Sequence, residues 1–72
     1  MHYKLIVNAI EIYTGPNDDN PKFYSKTDLV EFKVQNFKRL ILTFNSLGKN
    51  QEYMFDPITH QEIQELKDFF GI

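Results

Sequence analysis

The last fifteen residues of this 72-residue chain show the signature of one capped α-helix. Thr59 is followed three residues later by Glu62, which is the spacing of a capping box. Gly71 stands where a helix commonly stops. Apolar residues recur at helical spacing between these two signals: Ile63, Leu66 and Phe70. Such a helix buries its apolar stripe against another element, so the preceding residues must supply a surface for it.

Three earlier segments alternate apolar and polar residues with the period of a half-buried β-strand. The inward-facing residues of these segments are Val30, Phe32, Val34, Leu40, Leu42, Phe44, Tyr53 and Phe55. The polar stretch 45–50 contains Gly48, which takes positive φ at little cost. The sequence therefore predicts a hairpin over 40–55, preceded by another strand.

The segment 3–13 is rich in β-branched and aromatic residues and is predicted to form one strand. Its alternation is irregular. Leu5, Val7 and Ala9 fall on one face, whereas Ile6, Ile10 and Ile12 fall on the other. Either a bulge switches the faces or both faces are covered. Gly, Pro, Asn and Asp then cluster, and this composition predicts a surface loop over 14–22.

These elements predict an α+β fold in which a curved antiparallel sheet of about four strands carries the C-terminal helix on one face. The element order is β-β-β-β-α, in a single small globular domain spanning 1–72. The chain has no cysteine, so disulfides cannot support its small core. Its eleven Phe and Tyr residues supply large buried areas instead.

Groups that carry catalysis or bind metals are scarce. The histidines are His2 and His60, and nothing in the sequence spacing indicates that Ser25 or Ser46 lies beside His60 to form a Ser-His-Asp site. The acidic stretch 17–20 lacks the alternating ligands of a calcium loop, and the three glycines are too far apart to form a phosphate-binding loop. The sequence predicts no enzyme, no cofactor and no metal.

Apolar residues on the second sheet face favour a partner protein. Ile6, Ile10, Ile12 and Ile41 offer more apolar area than one helix covers, and such patches usually bind other proteins. Aromatic residues near loops or strand ends either supply further anchors or close the ends of the small core. The candidate partner-binding residues are Tyr13, Phe23, Tyr24, Phe37 and Ile41. The preferred hypothesis is a small non-catalytic adaptor or inhibitor that acts by protein–protein contact or self-association.

The alternative hypothesis is a nucleic-acid-binding module. Between Lys22 and Lys49 there are six basic residues against two acidic ones, whereas the residues after Lys49 are strongly acidic. Lys33, Lys38 and Arg39 would contact phosphates. The pI near 5.5 and the single arginine favour the protein partner.

Composition also leads to expectations about setting. The absence of cysteine and of a long apolar segment predicts a cytoplasmic protein without membrane contact. The abundance of Asn, Ile, Lys, Phe and Tyr, with one alanine and one arginine, follows AT-rich codons. This composition is typical of a low-GC bacterium, its phages or its mobile elements.

Overall fold

The computed structural model of the chain describes residues 1–15 and 20–72. The described residues form six strands, a short 3₁₀ turn and one helix. In chain order these are β1 (His2–Ile6), β2 (Ala9–Tyr13), β3 (Lys22–Ser25), the 3₁₀ turn (Lys26–Asp28), β4 (Leu29–Gln35), β5 (Arg39–Ser46), β6 (Lys49–Phe55) and α1 (His60–Phe70).

The first three strands form an antiparallel meander, sheet A, in the order β1-β2-β3. The prediction of one strand over 3–13 was wrong, because the chain turns at Val7 and Asn8 and pairs Leu5 with Ile10. The segment 3–13 thus contains two strands instead of one, and each strand has its own alternation of inner and outer residues. The irregular pattern across the whole segment therefore needs no bulge. Ile10 and Ile12 are fully buried on the inner face, while Val7 is 85% exposed.

The next three strands form a second meander, sheet B, in the order β4-β5-β6. Leu40, Leu42 and Phe44 of β5 are fully buried, as the period-two pattern predicts. The pairing of β4 with β5 shifts between Leu29 and Glu31, where a bulge leaves Val30 exposed.

The helix has the predicted caps. The Thr59 hydroxyl accepts a hydrogen bond from the Glu62 amide at 3.1 Å, and the Glu62 carboxylate accepts from the Thr59 amide at 3.1 Å. Gly71 ends the helix in the left-handed conformation at φ 76°. Ile63 and Leu66 are buried beneath it. The predicted capped helix is therefore confirmed.

One core joins both sheets and the helix. Phe44 lies at its centre, with ring centroids 4.5 Å from Tyr24 of sheet A, 6.3 Å from Tyr53 of β6 and 6.0 Å from Phe70 of α1. The α+β class with a C-terminal helix is thus confirmed. Instead of about four strands in one curved sheet, the described residues form two three-stranded sheets, because the first segment is a hairpin extended by β3.

The predicted surface loop over 14–22 is described at both ends. Thr14, Gly15, Asn20 and Pro21 lie outside the strands, whereas Lys22 already belongs to β3. Residues 16–19, which include most of the acidic stretch tested for calcium, lie outside the described residues.

Candidate functional site

The predicted anchor residues do not form one surface. Tyr13 lies on the outer face of sheet A, where its ring stacks on His2 at 4.7 Å and its hydroxyl donates to Glu11. Ile41 lies on the outer face of sheet B, half-buried between its strand neighbours Lys33 and Met54. Both residues are engaged by their own sheets.

Phe37 lies at the turn between β4 and β5. It is 77% exposed and has the left-handed backbone angle φ 65°, which is unusual for a bulky side chain. Its ring stacks over His60 at the start of α1, with centroids 6.2 Å apart. Together with Val34 and Ile63 it lines a shallow depression of about 300 Å³. Phe37 therefore links the turn to the helix.

Phe23 and Tyr24 are neighbours in β3 but have opposite environments. Phe23 is 60% exposed, as a partner-binding residue must be. Tyr24 is only 7% exposed and stacks on Phe44, so most of its side chain belongs to the core. Side chains alternate across a strand, which explains why the two neighbours differ.

A groove opens between β3 of sheet A and β6 of sheet B. It has a volume of about 410 Å³ and is here called the β3–β6 groove. Its lining residues are Lys22, Phe23, Tyr24, Ser46, Leu47, Lys49, Gln51 and Tyr53. Within the part of the chain that the structure describes, β3 hydrogen-bonds only to β2, and β6 only to β5. The groove thus lies between two strand edges that are not paired with each other.

Tyr24 and Tyr53 form the floor of the groove. Their hydroxyl groups share a hydrogen bond. Burial raises the pKa of the Tyr53 hydroxyl well above its usual value, and the hydrogen bond with Tyr24 adds to this rise. The Tyr53 hydroxyl therefore stays protonated at neutral pH. One hydrogen is used between them, so the pair keeps a second O–H that can donate to a bound acceptor.

Leu47 forms the end of the groove at the turn between β5 and β6. The turn has two residues, Leu47 at φ 54° and Gly48 at φ 78°. Both positive angles are typical of a type I′ turn, whose first position favours Asn, Asp or Gly. A leucine at that position costs roughly 1–2 kcal/mol in backbone strain. Leu47 is 100% exposed, so packing within the chain does not offset this cost.

The groove is positively charged. Lys22 and Lys49 are both exposed, and none of the lining residues within 1–15 and 20–72 is acidic. The nearest acid along β6, Glu52, belongs to the opposite face of the strand, because its neighbours Gln51 and Tyr53 line the groove. Across the described ranges, 1–15 and 20–72, neither lysine forms a salt bridge.

The basic residues of the nucleic-acid hypothesis are elsewhere and partly neutralised. Arg39 forms a salt bridge with Asp56, with Nη2 2.9 Å from Oδ2, and its Nε donates to the same oxygen at 3.0 Å. Lys33 lies on β4 and Lys38 in the turn before β5, and Glu31 shares the outer face of sheet B with Lys33. This surface has mixed charge, and nucleic-acid binding stays a prediction.

Each histidine stacks on an aromatic ring in the described structure. His2 is stacked on Tyr13, and His60 lies under Phe37. Residues 1–15 and 20–72 contain no group of three or more His, Cys, Asp or Glu side chains that could hold a metal ion. The same residues include no helix that is long and apolar enough to cross a membrane.

Comparisons with known proteins give no relative. No family model matches the sequence, and neither a curated protein nor a solved structure matches it. The groove is therefore interpreted from its own residues.

Sequence reasoning missed most of the groove. It selected Phe23 and Tyr24 but not Leu47, Lys22 or Lys49. The available signal was the dipeptide Leu47–Gly48, which occupies a position where hairpins usually have Asn-Gly. The charge of the groove could not be found this way, because its two lysines are 27 residues apart in the chain.

Proposed function

We propose that this chain is a small non-catalytic binding protein that holds a segment of a partner protein in the β3–β6 groove. The observation that carries the proposal is Leu47, a fully exposed leucine in a left-handed conformation at the mouth of the groove. Such a protein acts as an adaptor or inhibitor, by occupying the surface of its partner.

The position of Leu47 is costly for folding, which supports a role in binding. Asparagine would fit the turn with less strain and would interact better with water. A residue that is both strained and exposed is better explained by contact with another molecule, since strained backbone clusters at ligand-binding sites.

Phe23 extends the apolar contact surface of Leu47. Both residues line the same groove, and both are largely exposed. A large apolar side chain of a partner could pack between them and release water from both. Contacts of this kind dominate the affinity of protein interfaces when polar residues surround them, as Lys22, Ser46 and Gln51 do here.

Peptide display tests the proposal directly. A library of random twelve-residue peptides is selected on the immobilised wild-type protein, and each recovered peptide is then measured against Leu47→Asn. We expect recovered peptides to lose at least tenfold in affinity for Leu47→Asn, because a contact worth about 1.4 kcal/mol disappears.

Val7→Asn is the matched control. Val7 is also an exposed apolar residue in a two-residue hairpin turn, but it does not line the groove. We expect full binding by this variant. Selection that yields no peptide dependent on Leu47, or peptides equally weakened by Val7→Asn, would contradict the proposed function.

A further inference from the structure

We infer that the occupant of the β3–β6 groove is an acidic segment in extended conformation that lies along β6. This inference rests on the proposed function, because it specifies the chemistry of the partner for the same groove. Three features of the groove support it: its charge, its strand edge and the hydrogen-bond donor on its floor.

Charge complementarity selects an acidic segment. Lys22 comes from sheet A and Lys49 from sheet B, so the groove places cations on both of its sides. Neither has a salt-bridge partner within the part of the chain that the structure describes. Carboxylates placed between them would gain two attractive contacts, whereas a basic segment would be repelled.

The free edge of β6 selects an extended conformation. Residues 49–52 of β6 are exposed, and among the described strands β6 pairs only with β5. An extended segment can add main-chain hydrogen bonds to such an edge, and alternate side chains of the segment then enter the groove. The groove-lining residues of β6 run from Lys49 to Tyr53, a length of about 13 Å at the usual rise per residue.

The tyrosine pair supplies a hydrogen-bond donor on the floor of the groove. The spare hydroxyl hydrogen of Tyr24 and Tyr53 can donate to a carboxylate or carbonyl of the occupant. Further along β6, Phe55 packs edge-on against Tyr3 of β1, with ring centroids 5.9 Å apart. The lining positions of β6, from Lys49 to Tyr53, correspond to about five residues of a bound strand.

Labelled peptides of defined charge test the inference. The probes are three fluorescein-labelled peptides of nine residues. In the Glu peptide, Glu alternates with Val around a central Leu. The Gln peptide and the Lys peptide have Gln or Lys in place of every Glu. Fluorescence anisotropy at low salt measures their dissociation constants. We expect the Glu peptide to bind at least tenfold more tightly than the Gln peptide and the Lys peptide to bind least.

Charge reversal separates the groove from general electrostatics. We expect Lys22→Glu with Lys49→Glu to weaken binding of the Glu peptide at least tenfold and to strengthen binding of the Lys peptide. Lys33→Glu with Lys38→Glu changes the net charge equally but lies outside the groove, so it should alter either affinity less than threefold. Raising salt should weaken the Glu peptide most, since these charges are exposed.

Three outcomes would overturn the inference. Equal binding of the Glu and Gln peptides would remove the role of charge. An equal loss of affinity for the Glu peptide in both double variants would place the contact outside the groove. Tighter binding of a ten-nucleotide oligothymidylate than of the Glu peptide would indicate a nucleic acid instead. If display still yields peptides that require Leu47, but these are not acidic, the proposed function survives and only this inference fails.

Discussion

The two turns that border β5 each contain a large apolar residue in a left-handed conformation, but the surroundings of the two residues differ. Phe37 precedes the strand and Leu47 follows it, and both are large apolar residues with left-handed backbone angles of φ 65° and φ 54°. Phe37 has neighbours, because His60 lies beneath its ring and Val34 and Ile63 share its depression. Leu47 is completely exposed.

This difference suggests a structural reason for the left-handed residue at Phe37 and a functional reason for the one at Leu47. At Phe37 the strain is at least partly offset by packing that ties the β4–β5 turn to the start of α1. At Leu47 the side chain is fully exposed, so packing does not offset the strain. A left-handed apolar residue is therefore weak evidence for a binding site by itself, and becomes stronger evidence when the residue makes no contact within its own chain.

The comparison requires that both turns belong to one cooperative unit, and Phe44→Ala tests this with the largest expected effect. Phe44 is fully buried between sheet A, β6 and α1, so its truncation should lower the free energy of unfolding by about 3–5 kcal/mol. A domain of this length has only ~4–11 kcal/mol in total. Chemical denaturation followed by circular dichroism measures the loss.

Phe44→Leu is the milder control for a variant that fails to fold. It should lose less stability and keep a single transition observed equally by tyrosine fluorescence and circular dichroism. Two separate transitions would show that sheet A and the helix unfold independently, and the two turns could then not be compared as parts of one unit.

The floor of the groove allows the next test. Removing one hydroxyl, in Tyr24→Phe or Tyr53→Phe, leaves the other buried without its protein partner and should cost about 1–3 kcal/mol. The double variant leaves no such group, so we expect it to cost clearly less than the sum of the single variants. Urea denaturation of all four proteins gives the coupling. Additive losses would mean that the two hydroxyls do not stabilise the fold together.

The helix was predictable because its signals are local. Thr59 and Glu62 are three residues apart and act on each other, so the cap needs no knowledge of distant residues. The same pattern at Ser25 and Asp28 caps the 3₁₀ turn and could have been recognised. The β1–β2 turn was missed because Val7 is atypical of turns, although Asn8 is not.

The groove was less predictable because it depends on tertiary packing. Phe23 and Tyr24 have similar sequence contexts, and only the placement of β3 against Phe44 decides that one is exposed and the other buried. Lys22 and Lys49 line one groove from two sheets, and no local pattern specifies the relative position of these sheets. The single-sheet prediction failed for a related reason, since periodicity indicates strands but not which strands share a sheet.

A substitution in the helix cap tests whether the Phe37 turn depends on the start of α1. Thr59→Ala removes the hydroxyl that accepts from Glu62 and should lower the free energy of unfolding by about 1 kcal/mol. Fraying of the first helical turn should loosen His60 under Phe37 and leave the distant Leu47 turn unchanged. Thermal denaturation measures the stability, and NMR shifts of the Phe37 and Leu47 amides measure the local effect. Equal shifts at both turns would contradict the separation of the two regions.

A substitution at Leu47 has a small expected effect of unusual sign, and this sign decides the comparison of the two turns. Leu47→Asn should raise the free energy of unfolding by about 1 kcal/mol, since asparagine adopts the left-handed conformation more easily than leucine. Leu47→Ala should bring no such gain, because alanine keeps the strain, although it also removes the exposed side chain. Phe37→Asn should gain less than Leu47→Asn, because relief of strain is opposed by loss of the contact with His60. Equilibrium denaturation of the three variants ranks these effects. If Leu47→Asn is no more stable than wild type, leucine carries no folding penalty here, and the argument that binding explains its presence fails.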